Sequence, residues 1–382
     1  MLKFITKSQE INTIPKHNIF DFINMNSLYV RSLIQKIRVS RVRKRWLQEE
    51  NKMSIIRHLP PLNRIELKQI RQTWGGIPFS TRHLQSYRLY KAVRGFDSRF
   101  LPMPLYDPSI IRVLNPKEDA AVFVNKGLFE RLFSELKQPQ CFFKRINSNF
   151  YVQGYQVADL DYIIDYWTTL GSFVIKPSKN SHGGVGVRVF NRHITKDEAI
   201  LLIQEYKDDF LVQEVVRQHD ETSVFNKTSI NTIRIISLYL NGRVSILRSS
   251  LRIGLPGSVV DNAGAGGIMV GLDEYGRLFD FGITQTFEKI WLTANGIEFS
   301  GRRVTAFPKI RKIVIENHAF LYPTLGMVAW DFAVGADGSP IFLEGNTKVP
   351  GIFWIQFCTG PIFGERTQEV VNYCKSNNDI YF

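Results

Sequence analysis

The sequence predicts an α+β protein, and three observations carry that reading. A short apolar stretch ending in Lys176 runs into a glycine-rich loop and a second strand-like stretch, as two strands joined by a turn would. Two long alternating stretches, 229 to 240 and 243 to 253, read as an antiparallel pair, and 327 to 346 reads as a hairpin about Asp337-Gly338. Helical spacing separates these strands at 195 to 206 and 306 to 322, so strands and helices alternate without the regular repeat of a parallel sheet. At 382 residues and 44% hydrophobic, the chain can bury a large core and should hold two or three domains.

In chain order, residues 1 to 27 show no strong periodicity. Residues 28 to 52 form a basic amphipathic helix, with Leu28, Leu33, Ile34, Ile37, Val42 and Trp46 at mostly three- to five-residue steps. Arg31, Lys36, Arg38, Arg41, Arg43, Lys44 and Arg45 fill much of the remainder. Such a helix suits an anionic membrane surface or an acidic polysaccharide, or equally a solvated helix packed on its own domain. Pro60-Pro61 punctuates its end, 64 to 74 has helical spacing stopped by Gly75-Gly76, and 81 to 95 is a further helix. Pro102, Pro104 and Pro108 predict an extended crossing into the body. Beyond it come a helix at 127 to 137, a strand-rich stretch at 141 to 157, the strand and loop of 172 to 190, the helix at 195 to 206 and a strand at 210 to 216. The long antiparallel pair, a glycine-rich loop at 261 to 267, the helix at 306 to 322 and the final hairpin complete the chain. The expected divisions are 1–60, a basic helical extension; 61–115, a helical region; 116–216, a part built on the glycine-rich loop; and 217–382, a part built on the hairpin.

Of the +14 formal charge, nearly all lies early: residues 1 to 110 hold 20 Lys/Arg against 7 Asp/Glu, and the rest hold 29 against 28. An anionic partner is therefore expected for the N-terminal part alone, and nucleic acid is not expected. Cys141, Cys358 and Cys374 are too few and too irregular for a disulfide framework or a zinc site. No stretch of eighteen uncharged apolar residues occurs and the start lacks a leader pattern, which predicts a cytoplasmic protein, at most peripheral to the membrane.

Two places can carry chemistry. Glycines 183, 184 and 186 let successive backbone N–H groups turn toward one anion, with Lys176 adding a point charge beside them. In the hairpin, a turn centred on Asp337-Gly338 pairs Asp331 with Glu344, and Asn346 shares their face. Two carboxylates opposed between apolar strands call for a cation, and hard oxygens beside phosphates favour magnesium. Between these sites, the strand ending near Glu214 can offer its backbone to a base edge, with Glu214, His219 or Asp220 able to accept from an amine or ribose hydroxyls. Arg234, Arg248 and Arg252 lie on the long pair, but their faces depend on its register. The loop from Asp261 through Asn262 to Gly267 can close over a ligand or simply connect two strands.

Taken in order, Lys126 in Asn125-Lys126-Gly127, Lys176 with its glycine loop, Glu214, Arg234, Asp331 and Glu344-x-Asn346 resemble the ATP-grasp superfamily. Tyr87 to Tyr90, Gly95, Leu101-Pro102, Asn231-Thr232-Ile233-Arg234 and the Asp261-Asn262 to Gly267 element further resemble its sugar-transfer-associated branch, over roughly residues 60 to 382. The resemblance implies two α+β subdomains gripping ATP between antiparallel sheets. It implies that Lys126 and Lys176 hold the phosphates, that Ser181, His182, Gly183, Gly184 and Gly186 fold over them, and that Glu214, Val216 and Asp220 hold adenine and ribose. Asn262 would contact the nucleotide, Asp331, Glu344 and Asn346 would bind Mg2+, and Arg234 and Arg252 would face the transferring phosphoryl group. The implied activity is a carboxylate-amine ligase of bacterial surface polysaccharide biosynthesis with sugar-acid or amino-acid substrates. A kinase on a sugar or glycan hydroxyl and a non-catalytic anion- or membrane-binding protein are the alternatives. Ala329 stands where several relatives carry an arginine, which leaves the group that binds the substrate carboxylate open.

Overall fold

The computed structural model describes residues 33–34, 36–49, 59–75, 77, 83–179, 183–207, 209–261 and 266–377. Ser181, His182 and Asn262 lie outside the described residues, as do residues 1 to 32.

Two antiparallel sheets form the body. The smaller contains β1 (Cys141–Ile146), β2 (Asn149–Val152), β3 (Val157–Ala158), β4 (Phe173–Pro177), β5 (Arg188–Phe190) and β6 (Phe210–Gln213), in the order β3-β2-β1-β6-β4-β5. The larger contains β7 (Thr232–Leu240), β8 (Arg243–Ile253), β9 (Ile268–Leu272), β10 (Leu278–Ile283), β11 (Lys289–Ile290), β12 (Met327–Val334) and β13 (Pro340–Asn346), in the order β11-β10-β9-β8-β7-β12-β13. The helix Phe307–Leu321 carries the chain back across the larger sheet, so that β12 pairs with β7 rather than with its sequence neighbour β11.

Strand alternation decides which side chains build cores and which face the space between the sheets. In β4, Phe173 and Ile175 are fully buried and pack with Phe143, Trp167, Phe210 and Val212 under the helices Leu160–Thr168 and Lys196–Tyr206, which sends Val174 and Lys176 to the opposite face. The helix Lys196–Tyr206 starts on a capping box between Thr195 and Glu198. In β7, Ile233 and Ile235 join the core under Phe307–Leu321, while Ile236 and Leu238 join the core beneath the helices Leu84–Arg94 and Phe353–Thr359. Arg234 continues the Ile236–Leu238 face toward the smaller sheet. Asp331 likewise continues the face of Met327 and Ala329.

Three local expectations are corrected. The proline run is helical rather than extended: Met103–Leu105, a π-turn at Tyr106–Ile110 and Ile111–Leu114 follow one another, all but Arg112 and Val113 buried. Pro104 occupies the first turn, where no N–H donor is required, and the wider turn accommodates Pro108. The helix expected at 127 to 137 is two single turns, Lys126–Leu128 and Phe129–Leu132. The hairpin loop spans three residues, because Gly335 N–H donates to Ser339 O at 2.9 Å with Gly338 at φ +72°. Near the turn Phe332 therefore pairs with Phe342, one residue off the expected register, and a bulge at Leu343 restores it so that Asp331 faces Glu344.

Candidate active site

A cleft of about 430 Å³ runs between the two sheets. The smaller sheet contributes Val174, Lys176 and Gln213; the larger contributes Arg234, Arg252, Asp331, Glu344 and Asn346; Lys126 enters from the turn before β1. Residues remote in sequence, Lys176 and Glu344 among them, thus line a single space.

The larger-sheet wall is a connected ion-pair network. Arg234 forks onto Asp331, Nε to Oδ1 at 2.8 Å and Nη2 to Oδ2 at 2.6 Å. Arg252 donates from Nη1 to Asp331 Oδ2 at 3.2 Å and from Nη2 to Asp261 Oδ1 at 2.9 Å. Asp261 in turn accepts from Thr232 N–H at 3.0 Å and from the Thr232 hydroxyl, which fastens the loop after β8 to the start of β7. The register places Thr232 opposite Arg252 and Arg234 opposite Ser250, so both arginines share one face as diagonal neighbours. Arg248 pairs with Ile236, farther along β8, and lies outside the cleft lining. Gly351 lies so close to Arg234 that a Cβ there would sit 3.3 Å from Nη1.

Glu344 sits 3.2 Å from Lys126 Nζ and keeps about 29% of its side chain exposed to the cleft. Burial works to raise its pKa, but Lys126, Arg234 and Lys176 outweigh that and hold it at about 2. Lys176 is pushed down to about 8, by burial first and by Lys126 next. Burial pushes the Asp331 carboxyl up against the opposing pull of Arg234 and Arg252. Asn346 Nδ2 lies 3.3 Å from both Asp331 Oδ2 and Glu344 Oε1. Among the described residues no group of three or more His, Cys, Asp or Glu gathers as a metal site. The two carboxylates nevertheless offer hard oxygens suited to an ion that completes its shell with phosphate and water, and Asn346 would join them through Oδ1 on turning its amide, whose Nδ2 now faces both carboxylates. Since Arg234 already holds both Asp331 oxygens, Glu344 and Asn346 are the more available members of that set.

The remaining sequence-selected residues are placed unevenly. Gly183 and Gly184, with φ of +63° and +81°, line the rim, and a Cβ on Gly184 would stand 2.5 Å from Val260 Cγ1, so the glycine loop touches the loop after β8. Gly186 lies outside the lining, its carbonyl accepting from Tyr206 Oη at 2.6 Å. Glu214 and Val216 line the cleft, but β6 ends at Gln213, and a Glu214 carboxylate oxygen accepts from Gln140 N–H at 3.0 Å. Asp220 is exposed at the start of the short helix Asp220–Ser223 and does not line the cleft. Ala329 is buried in the core beneath Leu84–Arg94. Sequence reasoning missed Asp261 as the clamp on Arg252, and also Lys227 and Gln218 in the lining; a loop aspartate shows its partners only once β7 and β8 are in register.

The model of the sugar-transfer associated ATP-grasp family matches residues 107–372. The chain belongs to that family. Its membership agrees with the resemblance drawn from Lys126, Lys176, Asp331 and Glu344, and with the α+β fold of two antiparallel sheets. Solved structures similar to the chain include D-alanyl-alanine synthetase A from Vibrio cholerae, at 13% identity and TM-score 0.39 over 68% of this chain and 66% of that one. The D-alanine-D-alanine ligase from Coxiella burnetii matches at 11% identity and TM-score 0.36 over 68% and 58%. The ATP-grasp ligase PsnB, complexed with minimal precursor, Mg and ADP, matches at 13% identity and TM-score 0.37 over 69% and 62%. The chain thus spans between 58% and 66% of the length of these three structures. A comparison with curated protein sequences finds no match.

Proposed function

We propose that this ATP-grasp protein is an ATP- and Mg2+-dependent carboxylate-amine ligase of bacterial surface polysaccharide biosynthesis, acting on a sugar acid or an amino acid. The observation that carries the reading is the meeting of Lys126 and Lys176 with Glu344, Asp331 and Asn346 in one cleft between the sheets. In this reading Lys126 and Lys176 bind the nucleotide phosphates, and the N–H groups around Gly183 and Gly184 close over them. Lys126 exchanges part of its pairing with Glu344 for phosphate, which leaves the Glu344 carboxylate and Asn346 to hold Mg2+ with Asp331. The ion supplies charge neutralisation on the phosphate oxygens. The backbone from Gln213 to Val216 receives the base edge.

A substrate carboxylate attacks the terminal phosphorus of ATP, ADP departs, and an amine displaces phosphate from the acylphosphate to form the amide. The route suits this cleft because a carboxylate is a poor electrophile, whereas an acylphosphate has a good leaving group whose charge Arg252 and Arg234 can stabilise. No side-chain nucleophile is needed. The two arginines are held in place before substrate arrives, so their orientation costs nothing at the moment of transfer.

The test is an ADP-release screen of sugar acids against amino acids and amino sugars, followed by product mass. Joining with loss of water supports the ligase, and gain of a phosphate on one substrate supports a kinase. Lys176→Ala and Glu344→Ala are each expected to abolish ADP release with the productive pair, and unchanged turnover in both variants removes the proposed site.

A further inference from the structure

The N-terminal helix has two faces with different fates. Residues 33–34 and 36–49 are helical, and the inner face is fastened to the π-turn Tyr106–Ile110. Trp46 Nε1 donates to Asp107 Oδ2 at 2.8 Å, Arg45 pairs with the same oxygen at 3.0 Å, and Arg43 Nη2 donates to Ser109 Oγ at 3.1 Å. Val39 is buried and Trp46 packs against the core beneath it. Arg112 holds the other Asp107 oxygen at 2.6 Å, so this buried carboxylate is saturated and the anchor is specific.

At roughly 100° per residue, Leu33, Ile34 and Ile37 project on the side opposite Val39 and Trp46, interleaved with Arg38, Arg41 and Lys44. Leu33, Ile34 and Ile37 are 48%, 43% and 46% exposed, and Arg38, Arg41 and Lys44 are exposed too. This outer face holds aliphatic and basic side chains, its nearest acid being Glu49 at the far end, and the first 110 residues of the chain carry 20 Lys/Arg against 7 Asp/Glu.

We propose that this outer face docks the protein on an anionic phospholipid bilayer, lying in the interface and not crossing it. No helix among the described residues is long and apolar enough to span a membrane. The choice of occupant follows from the mixture of side chains. An acidic glycan would meet Arg38, Arg41 and Lys44 but leave Leu33, Ile34 and Ile37 in water, whereas a bilayer interface takes the aliphatic groups into its acyl boundary while its headgroups meet the cations. The anchor through Trp46 and Asp107 makes the docked helix rigid with the body.

The test is co-sedimentation of the full chain with vesicles of phosphatidylcholine alone and of phosphatidylcholine mixed with phosphatidylglycerol. The wild type is expected to partition onto the anionic vesicles only, and less so as salt rises. Combined Arg38→Gln, Arg41→Gln and Lys44→Gln should weaken partition on the order of a hundredfold, at about fivefold per cation near an anionic surface. Combined Ile34→Ser and Ile37→Ser should weaken it about tenfold or more. Circular dichroism melting checks the fold; if the triple variant melts early, Arg38→Gln alone should still cost about fivefold. Equal partition onto both vesicles, or wild-type partition by the isoleucine variant, overturns the proposal. So does binding of a soluble polyuronate, by wild type and isoleucine variant alike, without vesicle binding.

Discussion

The two walls of the cleft handle charge in opposite ways. On the larger sheet, every charge is answered by the chain itself: Asp331 by Arg234 and Arg252, Arg252 again by Asp261, and Asp261 by Thr232. On the smaller sheet, Lys176 is placed where burial and Lys126 both disfavour its charge. One wall is therefore preorganised without a ligand, whereas on the other an arriving phosphate would add to the counter-charge that Glu344 offers Lys176. Breaking the first wall should cost stability. Breaking the second should cost binding.

The largest expected effect is on the first wall. Asp331→Ala leaves two buried guanidinium groups short of a partner and should destabilise by about 3–5 kcal/mol, read by urea denaturation. Lys176→Met, the matching change on the other wall, removes a charge that burial and Lys126 disfavour, so it should not lower stability at neutral pH and should raise it, while removing nucleotide binding. Equal losses of stability in the two variants would erase the contrast between the walls.

A middle-sized effect is expected from Asp261→Asn, which keeps the shape but removes the charge that Arg252 and the Thr232 donors address. A loss of about 1.5–3 kcal/mol follows from charge-assisted hydrogen bonds, with nucleotide affinity retained. Calorimetric melting with and without ATP separates the two outcomes.

The smallest effects are in pH. Nucleotide affinity should fall as pH rises through about 8, where Lys176 loses its proton, and Lys126→Met should move that midpoint upward by removing a like charge. Stability runs the other way for Lys176: its folded pKa is depressed, so the unfolded chain binds more protons between about 8 and 10.5, and stability rises with pH across that window. Glu344 adds stability above the ordinary glutamate range that is lost as pH falls from 4.5 to about 2. A nucleotide affinity that is flat from pH 7 to 9, read by titration calorimetry, would show that Lys176 is not the phosphate ligand.

Strand alternation made Lys176 legible, because Phe173 and Ile175 declare the core face and leave Lys176 on the other. The Asp331–Glu344 pairing was also legible, though through two errors that cancel: the loop is one residue longer than a two-residue turn, and a bulge at Leu343 takes up the difference. The proline run was misread as extended because its helical course depends on packing partners distant in sequence, and Asp220 stands outside the cleft lining. The basic helix divides in the same manner: its periodicity was visible, yet only Asp107 and Ser109, more than sixty positions away, reveal that Arg43 and Trp46 face inward and that the exposed Arg45 reaches back to the same carboxylate.

What the sequence determined by itself is whatever repeats over a few residues: strand and helix period, the phosphate-type loop, the acidic hairpin and the uneven charge. Tertiary structure alone decided which of those charges meet, since β12 leaves its sequence neighbour to pair with β7 and brings Asp331 opposite Arg234. Alternation assigns a side chain to a face, but the interaction of two charges falls off with their separation in space, and that separation exists only after the sheets have assembled.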